Sequence, residues 1–253
     1  MEKNKTGAAY IGTSGWNYKH WKGPFYPDGM PDSKLLEFYS RRFRTVELNT
    51  TFYHLPLETS VKSWRDSVPE DFIFAVKASR FITHIKRLKD AGDAVKTLLG
   101  RMKPLGRKMG PVLFQLPPTF GFDISRLEEF LDALPRGPRY AFELRNQAWF
   151  KPETYDTLSR HGAAFCVYDL KGVFAPREVT SSIVYFRLHG PGGAYAGSYG
   201  DDFLSGLAQS FARWIGEGKD VYCYFDNDEA GYAAKNALKL SELMEAYSAP
   251  RAA

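Results

Sequence analysis

Cysteine is scarce: only Cys166 and Cys223 occur in 253 residues, each inside an apolar run, AFCVYD and VYCYFD. Neither has a second cysteine nearby, which leaves no pair for zinc or redox work, and both read as buried free thiols. Long apolar runs are missing as well, since none approaches the ~18 residues of a membrane span. The leading Met-Glu-Lys-Asn-Lys-Thr-Gly lacks the apolar stretch of a signal peptide. A cytoplasmic protein with no membrane partner is expected. Charge of neither sign dominates: 34 basic residues stand against 29 acidic ones, a net +5. That excess suits an anionic ligand but is too small to argue nucleic acid.

What is present is a folded composition, 44% apolar and 15% aromatic, in a chain long enough to bury a core without disulfide or metal staples. Runs rich in Val, Ile, Phe and Tyr recur at 9–14, 45–49, 72–78, 110–116, 139–144, 163–168, 183–189 and 220–226. Helical periodicity falls between them. Leu127, Phe130, Leu131 and Leu134 form one stripe behind a cap at Asp123 or Ser125. Leu35, Leu36, Tyr39 and Phe43 form another, and Phe203, Leu204, Leu207, Phe211, Trp214 and Ile215 a third. Pro152 suits a first helical turn and Gly162 a stop.

Eight alternating units over about 250 residues predict an α/β fold, a single (β/α)₈ TIM barrel across 1–253 with a flexible tail at 1–8. The stretch 170–180 shows no convincing helix, so the sixth helix is expected to be degenerate. A doubly wound open sheet is the alternative, but no Gly-rich dinucleotide fingerprint follows the first strand.

Side-chain parity then points to a site. Glu47 and Asn49, Lys77, Gln115, Glu143 and Arg145, Arg187 and His189, and Asp226 share one face of six strands, near their carboxyl ends. Burying charge costs several kcal/mol per group unless it is paired. Catalysis in such barrels occurs at the carboxyl ends of the strands. The competing reading is a salt-bridged plug of Glu47 and Glu143 against Lys77, Arg145 and Arg187.

Glu47 and Glu143 are the acid–base candidates. Lys77 reads as an anion anchor more readily than as a Schiff-base nucleophile. Arg145 and Arg187 can clamp an oxyanion, with Asn49, Gln115 and His189 orienting it; Tyr53, Trp16, Asp226 and Asn227 complete the expected binding set. No cofactor is required by the sequence. Glu47, Glu143, His189 and Asp226 would be the ligands if one Mg²⁺ or Mn²⁺ binds. The glycines from Gly190 to Gly200 suit either a phosphate loop or a lid.

The segments GTSGWNYKHWKGPFYP, ELNTTFYHLP, VKASRFITH, LFQLPPTF, FELRNQAWF, YFRLHG and YFDNDEAGYAAKNA together resemble the YecE-like family, a domain of unknown function with a TIM-barrel fold. The blocks run in order from about residue 11 to residue 237. Asp226 departs from the pattern, standing where the family commonly has Asn. The resemblance implies the fold and leaves the reaction open. Among comparable barrels, those of the endonuclease IV kind gather several histidines around a trinuclear zinc site. Only five histidines occur here, and His189 alone ends a strand. Three functions are therefore carried forward. They are an enzyme acting on a small anionic, phosphorylated or sugar-like substrate; a nucleic-acid-binding or processing protein; and a non-catalytic barrel that binds a metabolite.

Overall fold

The computed structural model describes residues 6–248. The parallel strands are β1 (Ala9–Thr13), β2 (Thr45–Leu48), β3 (Ile73–Lys77), β4 (Met109–Leu116), β5 (Tyr140–Leu144) and β6 (Ala164–Leu170), followed by β8 (Ile183–Leu188) and β9 (Asp220–Phe225). A two-residue strand, β7 (Val173–Phe174), pairs antiparallel with β6. The hydrogen-bonded order is β1-β9-β8-β6-β5-β4-β3-β2. Helices alternate with the strands: α1 (Leu35–Ser40), α2 (Thr50–Tyr53), α3 (Glu58–Asp66), α4 (Gly92–Met102), α5 (Ile124–Asp132), α6 (Pro152–Arg160), α7 (Asp201–Gly216) and α8 (Tyr232–Ser248). This is the α/β, TIM-barrel fold that the alternation predicts. By contacts the chain divides into two compact units, each discontinuous in sequence. One comprises the residues up to Val46, Tyr168–Phe174 and those from Ser182 on; the other comprises Glu47–Val167 and Ala175–Ser181.

Strands covered on both faces read as near-continuous apolar runs, and every residue of β2, β5 and β8 is buried. In the second unit Phe114 stacks on Phe142, ring centroids 5.2 Å apart, and Phe130 of α5 meets Phe114 edge-on at 5.0 Å. Asp123 caps α5 by accepting the Arg126 amide at 3.0 Å. Pro152 opens α6, and Gly162 at φ +63° follows its end. In the first unit Phe211 and Trp214 of α7 pack on Phe186 of β8.

Between β6 and β8 no helix forms among the described residues, in keeping with the degenerate sixth helix expected there. Two details depart from the sequence reading. A tight hairpin occupies the start of that connection, with Lys171 at φ +53° and Gly172 at φ +78° as the turn residues, the left-handed pair that matches strand twist. Of the expected tail, residues 1–5 lie outside the described residues. Gly7 and Ala8 are held: the Gly7 amide donates to Ile215 O at 2.9 Å and the Ala8 amide to Asp220 Oδ1 at 3.0 Å.

Candidate functional site

In the second unit, four segments bring chemistry together at strand carboxyl ends. β4 and β5 pair in register so that Gln115 stands beside Glu143. Glu143 is fully buried, and Arg145 Nε donates to its Oε1 at 2.5 Å. Burial of that carboxylate is tolerable because it is paired at charge-assisted distance. Gln115, also buried, donates from Nε2 to Leu116 O. Glu47 lies fully buried on β2. Lys77 ends β3, and its Nζ sits 4.4 Å from the centroid of the Phe52 ring on α2, a cation–π contact. The short helix is fixed to β3 by Thr51, whose hydroxyl reaches Lys77 O at 2.6 Å. Asn49 stands at the start of α2, half-buried, and Tyr53 at its end is 65% exposed.

β3 runs through Ala78, Ser79 and Arg80 into a π-helical turn, Phe81–Ile85, a geometry that recurs at functional sites. His84 in this turn meets the same Phe52 ring edge-on, centroids 5.1 Å apart. Its Nδ1 lies 2.8 Å from Thr83 Oγ1. The imidazole pKa is lowered to about 4, first by burial, then by the charges of Lys77, Arg145 and Arg80, with Glu143 alone opposing. His84 and Arg80 are not among the site residues that strand parity selects, since both follow β3 rather than end it. The available signal was their place in the block VKASRFITH.

In the first unit a second network lies at the carboxyl ends of β8 and β9. Arg187 pairs in register with Tyr224, and the Asp226 amide donates to Leu188 O, so the ladder continues one residue past the end of β9. Arg187, His189 and Asn227 are fully buried and Asp226 nearly so. Arg187 donates to Asp226 Oδ2 at 3.0 Å and to Ser14 Oγ at 3.1 Å, and its Nη1 lies 3.3 Å from His189 Nε2. His189 Nδ1 is 3.0 Å from the same Asp226 oxygen. His189 thus stands between an acid and a guanidinium. Burial, then the neighbouring Asp226 carboxylate, raises the pKa of Asp228.

The glycine loop after β8 is tied to itself and to its neighbours. The Gly190 amide donates to Tyr199 Oη, the Gly192 amide to Ala196 O and the Gly197 amide to Glu229 Oε2. Asn227 Nδ2 donates to Gly197 O and to Asn236 Oδ1, and Asn236 holds Ser198 and Tyr199. Those three amides are engaged within the fold rather than turned to a phosphate. Of the aromatics near strand ends, Trp21, Tyr26 and Trp149 are buried packing, while Tyr195 is exposed and Trp16 half-buried.

Among the described residues, no group of three or more His, Cys, Asp or Glu side chains is gathered as a metal ion would require. No helix among them is long and apolar enough to cross a membrane.

Comparison with known proteins agrees with the fold and names no reaction. The UPF0759 protein YecE of Escherichia coli (strain K12) is 36% identical over 180 residues, which cover 69% of this chain and 64% of that protein. The chain therefore spans less than two thirds of that relative's length. The UPF0759 protein YunF of Bacillus subtilis (strain 168) is 27% identical over 272 residues, covering 93% of this chain and 94% of that one. The crystal structure of a DUF72 family protein from Thermotoga maritima MSB8 superposes with a TM-score of 0.86 at 30% identity, over 94% of this chain and 99% of that one. Residues 10–253 match the family described as "Protein of unknown function DUF72", and the chain belongs to that family.

Proposed function

We propose that this protein is an enzyme acting on a small anionic substrate, phosphorylated or sugar-like, held at the carboxyl ends of β3 and β5. The observation that carries the reading is the gathering of Lys77 and His84 on one Phe52 ring, with Arg80 and Arg145 near enough to lower the His84 pKa and Glu143 near enough to raise it. Cationic side chains gathered in a partly desolvated setting favour an oxyanion. Lys77 serves as the point-charge anchor, and the guanidinium of Arg145 offers a planar fork. Arg145 also orients Glu143, so an acid–base carboxylate stands beside the anion-binding group, as general catalysis requires. Glu47 is the second carboxylate available, and Gln115 is an amide donor in register with Glu143.

The test is calorimetric titration of inorganic phosphate and of a panel of sugar phosphates, followed by assay of the panel for turnover. Saturable binding that disappears in Lys77→Ala, with turnover lost in a folded Glu143→Gln, is the expected result. No saturable binding of any member, or binding unaltered in Lys77→Ala, would overturn the reading.

A further inference from the structure

We infer that two exposed segments of the second unit, residues 53–57 after α2 and residues 80–89 after β3, form a surface that docks onto an anionic lipid bilayer. This docking is separate from the proposed reaction.

Eight large apolar side chains are exposed among the described residues, and five of them, Tyr53, Leu55, Leu57, Phe81 and Ile85, fall in these two segments. Single exposed apolar residues are ordinary, whereas a gathered set indicates a place of contact. The segments are neighbours in space. The Phe52 ring meets Tyr53 with centroids 5.0 Å apart, and meets His84 of the π-helical turn at 5.1 Å. Phe81 and Ile85 begin and end that turn, while Ile82 and Thr83 between them are buried. The turn therefore keeps its anchors inside and shows two apolar side chains outside.

The same segment supplies the charge. Between Lys77 and Gly92 the chain carries five Lys or Arg against one acid, Asp90, so the surface is cationic. Arg80, Arg87 and Lys89 are exposed. Arg87 donates to Thr119 Oγ1 and Lys86 Nζ to Asp90 O, a hydroxyl and a carbonyl. Among the described residues no carboxylate is paired with Arg80, Lys86, Arg87 or Lys89. Backbone strain sets this display. Arg87, Leu88 and Asp90 have left-handed φ of +47°, +68° and +46°, a costly conformation for residues other than glycine. Leu88 is buried and its amide donates to Ile82 O at 3.0 Å. The kink thus pins one apolar side chain inside and leaves Arg87 and Lys89, on either side of it, outside.

Cations without carboxylate partners call for an anionic occupant, and the aliphatic members decide which. Leu55, Leu57 and Ile85 have no ring on which a base could stack. A second copy of this chain would bring like charges together. A bilayer takes aliphatic and aromatic side chains alike into its interface, while Lys and Arg meet lipid phosphates. The lack of a spanning run, which underlies the expectation of no membrane partner, does not bear on a surface that lies on a bilayer.

The test is flotation of the full chain with vesicles of phosphatidylcholine alone and of equal parts phosphatidylcholine and phosphatidylglycerol. Binding to the mixed vesicles only, weakened by added salt, is the expected result. Arg87→Gln with Lys89→Gln should weaken it about 25-fold, at roughly fivefold per cation. Leu57→Ser with Ile85→Ser should weaken it about tenfold and leave the salt dependence in place. Thermal melts of both double variants check that they fold. Phe81→Trp gives a readout of insertion, an emission that should move to shorter wavelength on mixed vesicles.

Equal binding to neutral and mixed vesicles, undiminished binding in either folded double variant, or no vesicle binding at all would overturn the inference. In the last case, oligothymidylate binding lost in Phe81→Ala, or self-association lost in Leu57→Ser with Ile85→Ser, would assign the surface to another occupant.

Discussion

Arg145 Nε lies 2.5 Å from Glu143 Oε1, although only one residue separates the two along the chain. The contact follows from strand parity, which sends residues two apart to the same face. The carboxylate therefore occupies part of the guanidinium that would otherwise face a ligand. Glu143→Gln removes that competition together with a buried charge-assisted hydrogen bond. Sulfate affinity should rise several-fold, while unfolding free energy falls by about 2–3 kcal/mol. Calorimetry and denaturant melts check the two halves separately, and weaker sulfate binding by the folded variant would count against this account of Arg145.

His84 ties stability to pH. Its folded-state pKa is lowered to about 4 from the ordinary 6.5, so folding favours the neutral ring. The contribution is fully present above pH 6.5 and is lost as pH falls toward 4. Glutamine at this position cannot titrate. Between pH 7 and pH 4 the unmodified chain should therefore lose more stability than His84→Gln, as read from denaturant midpoints at each pH. Parallel acid sensitivity in the two proteins would contradict the assignment.

Arg187 is completely buried and is paired with Asp226. Replacing it with leucine leaves that carboxylate without its guanidinium, and about 3–5 kcal/mol of stability should be lost. Asp226→Asn keeps an acceptor but removes the charge, so about 1–3 kcal/mol is expected. Thermal or urea unfolding of both variants decides the matter. Near-native stability of Arg187→Leu would mean that the network does not hold the ends of β8 and β9.

Two glycines make a matched pair. Gly190 has φ +108°, and a Cβ there would stand 2.2 Å from Ala196 O. Gly190→Ala should destabilise by about 1–3 kcal/mol from backbone strain alone. Gly206 lies inside α7 with open space around it, and Gly206→Ala should stabilise by about 0.5–1 kcal/mol. Comparison of the two melting curves tests whether the loop conformation is fixed in solution.

The eight principal strands were legible because fully covered strands need unbroken apolar runs. Of the polar positions that parity groups on one face, Glu47, Gln115, Glu143, Arg187, His189 and Asp226 are buried, while Asn49, Lys77 and Arg145 are half-buried. Parity is silent on residues outside strands, and His84 escaped it for that reason. Its place beside Phe52 depends on a π-helical turn, and no simple sequence period marks such a turn. The pairing of Arg187 with Asp226 was hidden in a different way, because it depends on the neighbouring register of β8 and β9. The β7 hairpin was missed because Lys171 adopts a left-handed conformation that lysine seldom favours.

Asn236 has a consequence for where this chain can change length. A glycine-rich connection after a strand would ordinarily be a natural place to accept inserted residues. Here one asparagine on α8 holds the Ser198 hydroxyl and both the N–H and the C=O of Tyr199, so added residues between 190 and 200 would have to break its contacts with α8. The connection after β7 has a different character: Arg177 and Glu178 are exposed there, and lengthening such a segment costs little loop entropy. Tolerance of insertion should therefore favour the segment that lacks glycine over the one that abounds in it.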